Sequence, residues 1–585
     1  MDAIVFGATG FIGRSLVAEL LGRGRRVAAV VRDDTLTPWL TGQGVDTGGL
    51  VTVAADITRP LTGLPDVREV YNAAARYAFG LEVKEARAAN VTGALNVLEW
   101  AATLPRLRRL VHLSGYRVSA SSGRPDYAGL GAYEASKLEG DLAVRARARE
   151  LGVPLTIANP STVIGPGQYI GLAALVENLW NGRLPALPGG PDVFVPIVTI
   201  GYLARFLAEI PASPPGEHYW VLDDTTPLLP ELIGTIADHM GVRAPRRSVP
   251  AALLRRLPRK LTGADPETLS FLSADRYPTA SAAAFAATAG LEMPPAADAL
   301  RTWADDLVAT RFGAASPWMR PYGFHPVAGT RTWVTGERHR PAHVLLHGLP
   351  MNADLWAPLA ARLTGPVLAP DLPGLGRSAP SSRPVQEWLA DLMRPVRTRP
   401  VLVAHSLACG PAVRFAAEHP GRISRLVLIC PSFLQAPGSR LTRSRIAVPV
   451  MRRLSTSRLA GRLGLPEGPE VAGAAADLRR PGVARRVVTA LRTDHAERER
   501  SRSLLARVSI PVEIIVGAAD PLAVEAGDPV TEIAGAGHYP QLTHPAQIAR
   551  HLDAARDPIG GPGGLVVGAR PHVRCDGPDQ GAGPS

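Results

Sequence analysis

Two successive series of short apolar runs, each alternating with helix-forming stretches, constrain the fold of this chain more than any other feature. The first series lies within residues 1–160 and includes AIVFGA, RVAAVV, EVYNAA, RLVHLS and PLTIAN. The second begins near residue 325 with HVLLHG, PVLAPD, PVLVAHS and RLVLIC. Such alternation is typical of βαβ units, which build parallel sheets covered by helices. At 585 residues the chain has room for two large domains. We therefore predict an α/β protein with two mainly parallel sheets.

Changes in this pattern predict the domain boundaries. Between the two series, the segment AASPWMRPYG contains two prolines that interrupt regular structure, which indicates a linker. A helical, arginine-rich insertion interrupts the second series, and the C-terminal stretch is rich in glycine and proline without periodicity, which is typical of disorder. The predicted parts are a first domain (1–313), a linker (314–324), a second domain (325–555) with its insertion (431–508), and a disordered tail (556–585).

Composition narrows the class of protein. The three cysteines, Cys409, Cys430 and Cys575, are too few and too scattered for a disulfide framework or a metal cluster. We therefore expect a reducing compartment and no metal site. Met1 and Asp2 lead directly into an apolar strand without a basic n-region, and no apolar run approaches the roughly 18 residues of a membrane span. These features predict a cytoplasmic protein without an integral membrane segment.

The net charge of +12 does not by itself indicate a nucleic-acid partner. Only three of the 64 basic residues are lysines, which indicates a general bias towards arginine, and the chain has no nucleic-acid recognition motif. Sixteen arginines against six acids lie between Arg440 and Arg507 in the insertion. We expect this to be a solvated face, with an anion or membrane-surface site as the alternative. The predicted partner is a small molecule, and the sequence does not indicate an oligomeric state.

The stretch GATGFIG follows the first predicted strand and opens a helix. A turn that brings the backbone close to a pyrophosphate needs residues without a Cβ atom, and a helix N-terminus offers free N–H groups to the anion. The position at the start of a βαβ unit favours a nucleotide site over an ordinary strand–helix turn. The residues predicted to bind the dinucleotide here are Gly7, Thr9, Gly10, Phe11, Ile12 and Gly13.

The ends of the next two strands carry further candidate contacts to the dinucleotide, and the first of them bears on the choice between NADP and NAD. An acid at the end of the second strand suits a ribose 2′-hydroxyl, whereas an arginine suits a 2′-phosphate. Here Arg32 precedes Asp33, so we favour NADP, with NAD as the alternative. Asp56, after VTVAA, is a candidate adenine contact, although a turn aspartate is an equally good interpretation.

The stretch YEASK places Tyr133 and Lys137 four residues apart, on one face of a helix. An ammonium beside a phenol favours the phenolate and lowers its pKa towards the range useful for proton transfer to a carbonyl oxygen. Because arginine replaces lysine almost everywhere else in the chain, a lysine here indicates chemistry rather than an exposed helix pair.

With these features, residues 1–313 resemble the extended short-chain dehydrogenase/reductases. NAAA at 72–75, Asn90 and NPSTVIGPG at 159–167 occur in the order of that family. The resemblance implies a Rossmann-type doubly wound sheet, with 1–160 mainly binding the dinucleotide and 161–313 mainly the substrate. It further implies roles for individual residues: Tyr133 as acid/base, Lys137 on the nicotinamide ribose, Asn90 supporting the site, and Ala73, Ala74 and Asn159 as cofactor contacts.

One position departs from that family. Its members commonly carry paired Ser or Thr residues after the strand that precedes the tyrosine, and the second polarises the carbonyl. Here VHLSGY gives Ser114 followed by Gly115. Ser114, Tyr116 and Ser119 are the candidates to replace the missing hydroxyl, and impaired catalysis is the alternative.

In the second half, VAHSLACG is similar to a nucleophile elbow centred on Ser406. Its flanking positions must be small because the backbone turns sharply there. Alanines occupy them, at 404 and 408, where glycine is usual, and a helix-capping serine is the alternative interpretation. The backbone N–H groups of Leu349, after HVLLHG, and of Leu407 are the predicted oxyanion hole.

Two further polar residues follow strands in the order Ser, Asp, His. Asp520 follows VEIIVGAA and His538 follows TEIAGAG. Active-site residues of open parallel sheets collect at the ends of strands, so we predict a triad of Ser406, His538 and Asp520. The segment between Asp520 and His538 is short, which leaves Asp528 as a rival acid.

Residues 325–555 resemble the α/β-hydrolase superfamily, with HGLP, DLPGLGRS at 371–378, AHSLA and GAGH in family order. The resemblance implies hydrolysis of an ester, thioester or lactone, with 431–508 as a helical lid. Taken together, we predict a bifunctional enzyme: an NAD(P)-dependent reductase or dehydrogenase joined to a serine hydrolase, acting on a hydrophobic carbonyl or ester. The alternatives are a hydrolase with a non-catalytic nucleotide-binding regulatory domain, and a first domain of the sugar epimerase or dehydratase type.

Overall fold

A computed structural model of the chain describes residues 1–76, 81–118, 125–250, 253, 272–436, 439–522 and 530–553. The chain forms two compact units, of which the first ends at Pro317 and the second begins at Trp318. Three of the sequence-based predictions fall outside the described residues. They are the candidate hydroxyl of Ser119, the rival acid Asp528 and the tail 556–585.

The first unit is built on a seven-stranded sheet in which every pair of neighbours is parallel. Its order is β10-β6-β5-β4-β1-β2-β3. The strands are short apolar runs that are mostly buried on both faces, as expected for a parallel sheet covered by helices. The strands of this unit are β1 (Ala3–Phe6), β2 (Val27–Val31), β3 (Leu50–Ala54), β4 (Glu69–Asn72), β5 (Arg109–Leu113), β6 (Leu155–Pro160), β7 (Thr162–Ile164), β8 (Leu187–Pro188), β9 (Ile197–Thr199), β10 (His218–Val221) and β11 (Ser248–Val249).

Helices connect these strands and cover the sheet. The strand order reverses between β1 and β4, and ligands of doubly wound sheets bind at such a reversal, beyond the carboxyl ends of the strands. The described helices are α1 (Phe11–Gly22), α2 (Leu36–Gly42), α3 (Val83–Arg87), α4 (Gly93–Ala102), α5 (Tyr127–Leu130), α6 (Ala132–Leu151), α7 (Leu172–Trp180), α8 (Ile200–Glu209), α9 (Leu229–Met240), α10 (Ala280–Thr288) and α11 (Ala296–Ala309), with a π-helical segment at Ala88–Thr92.

The second unit is built on an eight-stranded sheet of order β12-β13-β15-β14-β16-β17-β18-β19. The pairs β12/β13 and β13/β15 are antiparallel, and the remaining neighbours are parallel. The first strand begins three residues before the predicted domain start at 325. The strands are β12 (Tyr322–Val327), β13 (Thr330–Gly336), β14 (His343–Leu346), β15 (Val367–Pro370), β16 (Val401–His405), β17 (Arg425–Ile429), β18 (Val512–Gly517) and β19 (Thr531–Ile533).

The arginine-rich insertion lies between β17 and β18 and is helical. One apolar cluster includes the strands of this sheet together with insertion residues such as Leu459, Val471 and Val487, so the insertion packs on the same core. The helices of this unit are α12 (Ala357–Ala360), α13 (Val385–Met393), α14 (Cys409–Glu418), α15 (Ala447–Arg452), α16 (Thr456–Leu463), α17 (Pro469–Arg479), α18 (Val483–Leu505), α19 (Pro540–Thr543) and α20 (Pro545–Asp553). No helix among the described residues combines the length and apolar character that a membrane crossing requires.

A buried histidine joins two central strands of the first unit. His112 on β5 lies opposite Asn72 on β4, and its Nδ1 accepts a hydrogen bond of 3.2 Å from the Asn72 side-chain amide. Burial lowers the pKa of His112 from 6.5 to about 3, and the charge of Lys137 adds to this while Asp141 opposes it. The native state therefore holds this imidazole neutral.

We expect this histidine to make the first unit acid-sensitive. Between pH 6.5 and about 3 the unfolded state binds a proton at His112 that the folded state does not. The free energy of unfolding should fall with decreasing pH in that window, by up to about 1.4 kcal/mol per pH unit. Denaturant titrations across this range should show a shallower pH slope for His112→Gln, which keeps an acceptor for Asn72. The exposed control His339→Gln should keep the wild-type slope, and equal slopes in all three proteins would contradict the prediction.

Candidate active sites

The turn after β16 has the backbone of a nucleophile elbow. Ser406 has φ 53°, a left-handed conformation that is uncommon for a residue with a Cβ atom. It opens a short 3₁₀ turn that leads into α14. Ala404 and Ala408 are completely buried, so their methyl groups are accommodated by the packing around the turn. Alanine therefore replaces glycine here without preventing the turn.

The structure brings Ser406, His538 and Asp520 together in a hydrogen-bonded row. His538 Nε2 lies 3.1 Å from Ser406 Oγ, and His538 Nδ1 lies 2.8 Å from Asp520 Oδ2. Each residue follows the carboxyl end of a strand, β16, β19 and β18 respectively. The arrangement allows His538 to accept the serine proton while Asp520 fixes the tautomer of the imidazole.

The loop after β14 lies directly against the elbow. A Cβ atom at Gly348 would lie 2.8 Å from Ser406 Cβ and 2.6 Å from His405 Nδ1, so only glycine fits there. Leu349 and Leu407, whose N–H groups are the predicted oxyanion hole, follow Gly348 and Ser406 in the chain. The Leu349 carbonyl accepts a bond of 2.9 Å from the Tyr539 hydroxyl, which ties this loop to the segment that carries His538.

Asp520 receives more hydrogen bonds than the triad alone requires. Its Oδ1 accepts from the Leu522 N–H at 2.9 Å, and its Oδ2 accepts from the Gln435 side-chain amide at 2.7 Å. Burial raises the pKa of Asp520, but the bonds from His538, Leu522 and the Cys430 thiol outweigh burial and bring it below the ordinary 3.8. The carboxylate is therefore charged at neutral pH.

Sequence reasoning missed two residues that support the triad. Gln435 lies at the start of the insertion and is almost completely buried beside Asp520. His405 Nε2 lies 2.8 Å from the backbone oxygen of His538, and burial, aided by the charge of His538, lowers the pKa of His405 to about 3. A neutral His405 can donate to that carbonyl and hold the His538 backbone. His405 was visible in the sequence beside the serine, whereas no local pattern marks Gln435.

The glycine loop of the first unit lies at the reversal of strand order. Gly7 has φ 76°, and a Cβ atom there would lie 2.7 Å from the backbone of Ala73 and Ala74, which follow β4. A Cβ atom at Gly13 would lie 2.1 Å from the Gly7 carbonyl oxygen. The loop therefore packs β1, α1 and β4 together and leaves the N-terminal end of α1, with Thr9, Gly10, Phe11 and Ile12, beside the carboxyl ends of the strands.

Arg32, predicted to favour NADP, and Asp56, the candidate adenine contact, are both exposed after their strands. Arg32 follows β2 directly and is exposed. Asp56 follows β3, and its Oδ1 accepts bonds from the Thr58 N–H at 2.9 Å and the Thr58 hydroxyl at 2.8 Å. These bonds are those of a turn aspartate, which was the alternative interpretation, and an adenine contact stays a prediction.

Tyr133 and Lys137 both lie on α6, close to the end of β5. Lys137 is buried and its ammonium donates to the Leu113 carbonyl at 2.9 Å. Burial lowers the pKa of Lys137 to about 8, and the charges of Asp141 and Glu134 oppose this. The lysine therefore reaches the carboxyl edge of the sheet, where the glycine loop also lies.

Asn90 connects this helix to the strand edge. It belongs to the π-helical segment, a feature that often occurs at functional sites. Its side-chain amide donates to Ser136 Oγ at 2.9 Å, and its Oδ1 accepts from the Arg76 N–H at 2.9 Å. Asn90 thus holds α6, three residues from Tyr133, against the loop after β4.

Three buried polar side chains lie at the adjoining ends of β5 and β6. Within the described part of the chain, Ser114 Oγ, Ser161 Oγ and both polar atoms of the Asn159 amide have no hydrogen-bond partner. At Gly115, a Cβ atom would meet only Val118 at 3.8 Å, so the backbone does not require glycine there. Hydroxyl and amide groups are therefore buried side by side at this edge without partners among the described residues.

Comparison with known proteins identifies both halves. The description "NAD dependent epimerase/dehydratase family" matches residues 3–187, and "Alpha/beta hydrolase family" matches residues 344–551. A ketoreductase of 4-hydroxy-2-methyl-3-oxo-4-farnesyl-3,4-dihydroquinoline-1-oxide from Stigmatella aurantiaca is 25% identical over 43% of this chain and 76% of its own. Sterol demethylase protein B from Methylococcus capsulatus is 27% identical over 44% of this chain and 79% of its own.

Among solved structures, the terminal R domain from the myxalamid PKS-NRPS biosynthetic pathway is 20% identical, with a TM-score of 0.45, over 54% of this chain and 92% of that one. The two family matches lie in different units, and each contains the strand-end residues described above. The two matches therefore support a fusion of an NAD-dependent epimerase/dehydratase domain and an alpha/beta hydrolase domain, and the first match supports a nicotinamide cofactor.

Proposed function

We propose that this chain is a bifunctional enzyme in which a serine hydrolase is joined to an NADP-preferring carbonyl reductase. The observation that supports the hydrolase most directly is the row of hydrogen bonds from Ser406 Oγ through His538 to Asp520, at 3.1 and 2.8 Å. The substrate class that fits this chemistry is a hydrophobic ester, thioester or lactone.

The hydrolase works by acyl transfer. Ser406 Oγ attacks the carbonyl carbon as its proton passes to His538 Nε2, and the carbonyl π electrons move to the oxygen. The N–H groups of Leu349 and Leu407 stabilise that oxyanion. His538 then protonates the leaving alcohol or thiol as the tetrahedral intermediate collapses to the acyl-enzyme. Water, deprotonated by His538, repeats the sequence and releases the acid and Ser406.

The first domain fits a nicotinamide dinucleotide, because the approach of Gly7 to the backbone of Ala73 leaves no room for a side chain, as a close-packed phosphate loop requires. When bound, the cofactor supplies hydride to a carbonyl carbon. The Tyr133 hydroxyl donates the proton to the carbonyl oxygen, and the ammonium of Lys137 favours the resulting phenolate. The buried hydroxyl of Ser114 is available to orient the carbonyl.

Exposed Arg32 at the end of β2 supports a preference for the 2′-phosphate of NADP.

The proposal includes a cytoplasmic location and leaves two alternatives for the first domain. The few cysteines, of which Cys409 and Cys430 are buried and free, support a cytoplasmic location. Gly115 favours one second candidate, in which the first domain binds the dinucleotide and regulates the hydrolase without turning over a carbonyl. A sugar epimerase or dehydratase remains the alternative chemistry for the same Tyr133 and Lys137 pair.

We expect a fluorophosphonate probe to label the purified chain at Ser406. Labelling should be lost in Ser406→Ala and reduced by at least about 10³-fold in His538→Ala, because the serine proton then has no acceptor. Asp520→Asn should lose most activity towards short esters, while Asp528→Asn serves as the matched control and keeps it. Equal loss in the two aspartate variants, or labelling that survives Ser406→Ala, would contradict this assignment.

Gln435 should act as a positioning residue for Asp520. Its amide shares the carboxylate oxygen Oδ2 with His538, so Gln435→Leu strengthens the remaining His538–Asp520 attraction. We expect the acidic limb of the pH profile of kcat/KM to move upwards by about half a unit to one unit. Gln435→Glu places a second carboxyl group beside Asp520, and should move the limb further. A fall in kcat without any movement of the pH profile in either variant would show that Gln435 only fills space.

Carbonyl reduction should be weak in the natural chain and improve when a second hydroxyl is added. NADPH absorbance should fall in a ketone-dependent manner, faster than with NADH, and Tyr133→Phe should abolish the reaction. Since the backbone at Gly115 has room for a side chain, Gly115→Ser should fold normally and raise the rate. Gly115→Ala is the matched control and should not. Tight NADPH binding without turnover in the natural chain and in Gly115→Ser would favour the regulatory candidate instead.

A further inference from the structure

The segment 439–453 of the insertion exposes apolar side chains among arginines. Leu441 and Ile446 are each 73% exposed and Val450 is 46% exposed, which places all three among the most exposed large apolar side chains of the described residues. The same fifteen residues contain five arginines and no acid. We call this segment the arginine-rich surface.

The exposed apolar residues are not needed by the core beneath them. Val448 and Met451 of α15 pack against the apolar cluster of the second unit. Ile446, the N-cap residue of α15, and Val450 are four residues apart and both exposed, so they lie on the outward side of this short helix. The exposed side chains of Ile446 and Val450 are therefore not part of the apolar cluster that Val448 and Met451 contact.

The arginine-rich surface is also held in place. Arg492, on the long helix α18, donates from its Nε to the Arg443 carbonyl at 2.5 Å. The Leu441 and Ile446 N–H groups donate to the hydroxyls of Ser439 and Ser444 at 3.1 and 3.4 Å, and these bonds close the turns before the helix. The segment presents these side chains on an ordered turn–helix scaffold rather than on a free tail.

We propose that the arginine-rich surface docks onto an anionic lipid surface. Phosphate and carboxylate headgroups would neutralise the arginines, while Leu441, Ile446 and Val450 enter the boundary between headgroups and acyl chains. A soluble polyanion would neutralise the arginines but leave the protruding apolar side chains in water. A protein partner would need pockets matched to three protruding side chains, whereas a bilayer deforms around them. The inference does not depend on the proposed hydrolysis, since docking requires no chemistry at Ser406.

The test is co-sedimentation of the full chain with two kinds of vesicle: phosphatidylcholine alone, and phosphatidylcholine mixed with phosphatidylglycerol. We expect binding to the mixed vesicles only, weakened by salt. Leu441→Ser with Ile446→Ser should reduce the partition coefficient by at least about tenfold. Arg440→Gln with Arg445→Gln should reduce it by about fivefold for each arginine. Ser406→Ala should bind like the natural chain, which separates docking from the proposed function.

The matched control is Arg383→Gln with Arg397→Gln, two exposed arginines on the same unit outside this surface. Thermal unfolding should show that all variants are folded. The proposal is overturned if the natural chain does not bind the mixed vesicles, or if the control pair loses as much binding as Arg440→Gln with Arg445→Gln. It is also overturned if soluble poly-glutamate competes away the vesicles and binds the Leu441→Ser, Ile446→Ser variant unchanged, since the apolar side chains would then have no part in binding.

Discussion

The left-handed backbone at Ser406 is the constraint on which the second unit depends. A residue with a Cβ atom pays about 1 to 2 kcal/mol for this conformation, so the surrounding packing has to enforce it. The fully buried methyl groups of Ala404 and Ala408 and the close approach of Gly348 do so. With the turn fixed, Ser406 Oγ points to the edge where β18 and β19 end, and His538 and Asp520 need only follow those strands to reach it.

The insertion is part of this site rather than a separate cover. Arg480 and Arg486 donate to the carbonyls of Gly376 and Gly374 at 2.7 and 2.6 Å, which bonds the insertion to the loop after β15. Asn352, in the loop after β14, donates to Asp477 of the insertion at 2.7 Å. At its other end, Arg498 of α18 binds the Gln435 backbone oxygen. Gln435 in turn binds Asp520. Two hydrogen bonds therefore connect α18 to Asp520, the first through Arg498 and Gln435 and the second through Gln435 and Asp520. A displacement of α18 would change the hydrogen bonding of the carboxylate that orients His538.

The sequence predicts what local patterns determine. Strand alternation and the order of Ser406, Asp520 and His538 suffice for both sheets and for the triad, because strands of a parallel sheet all end at one edge. The glycine loop is predictable because close backbone approach leaves a mark in residue type, as at Gly7 and Gly13. Gln435 could not be found in this way. It directly follows a short 3₁₀ helix, and its role depends on an insertion whose packing only the tertiary structure defines. Asp56 shows the opposite difficulty, since one pattern suited both a ligand contact and a turn.

The edge formed by β5 and β6 argues that the first domain retains binding chemistry despite the glycine at 115. A buried polar group without a partner costs about 1 to 3 kcal/mol, and packed cores avoid it. Yet in the part of the chain that the structure covers, the hydroxyls of Ser114 and Ser161 and the amide of Asn159 stay unpaired beside one another in the fold. A domain kept only as a structural support would lose little by replacing them with apolar residues of the same size. Their retention beside the Leu113 carbonyl, which accepts from the Lys137 ammonium, therefore favours a polar role for this strand edge over a purely structural one.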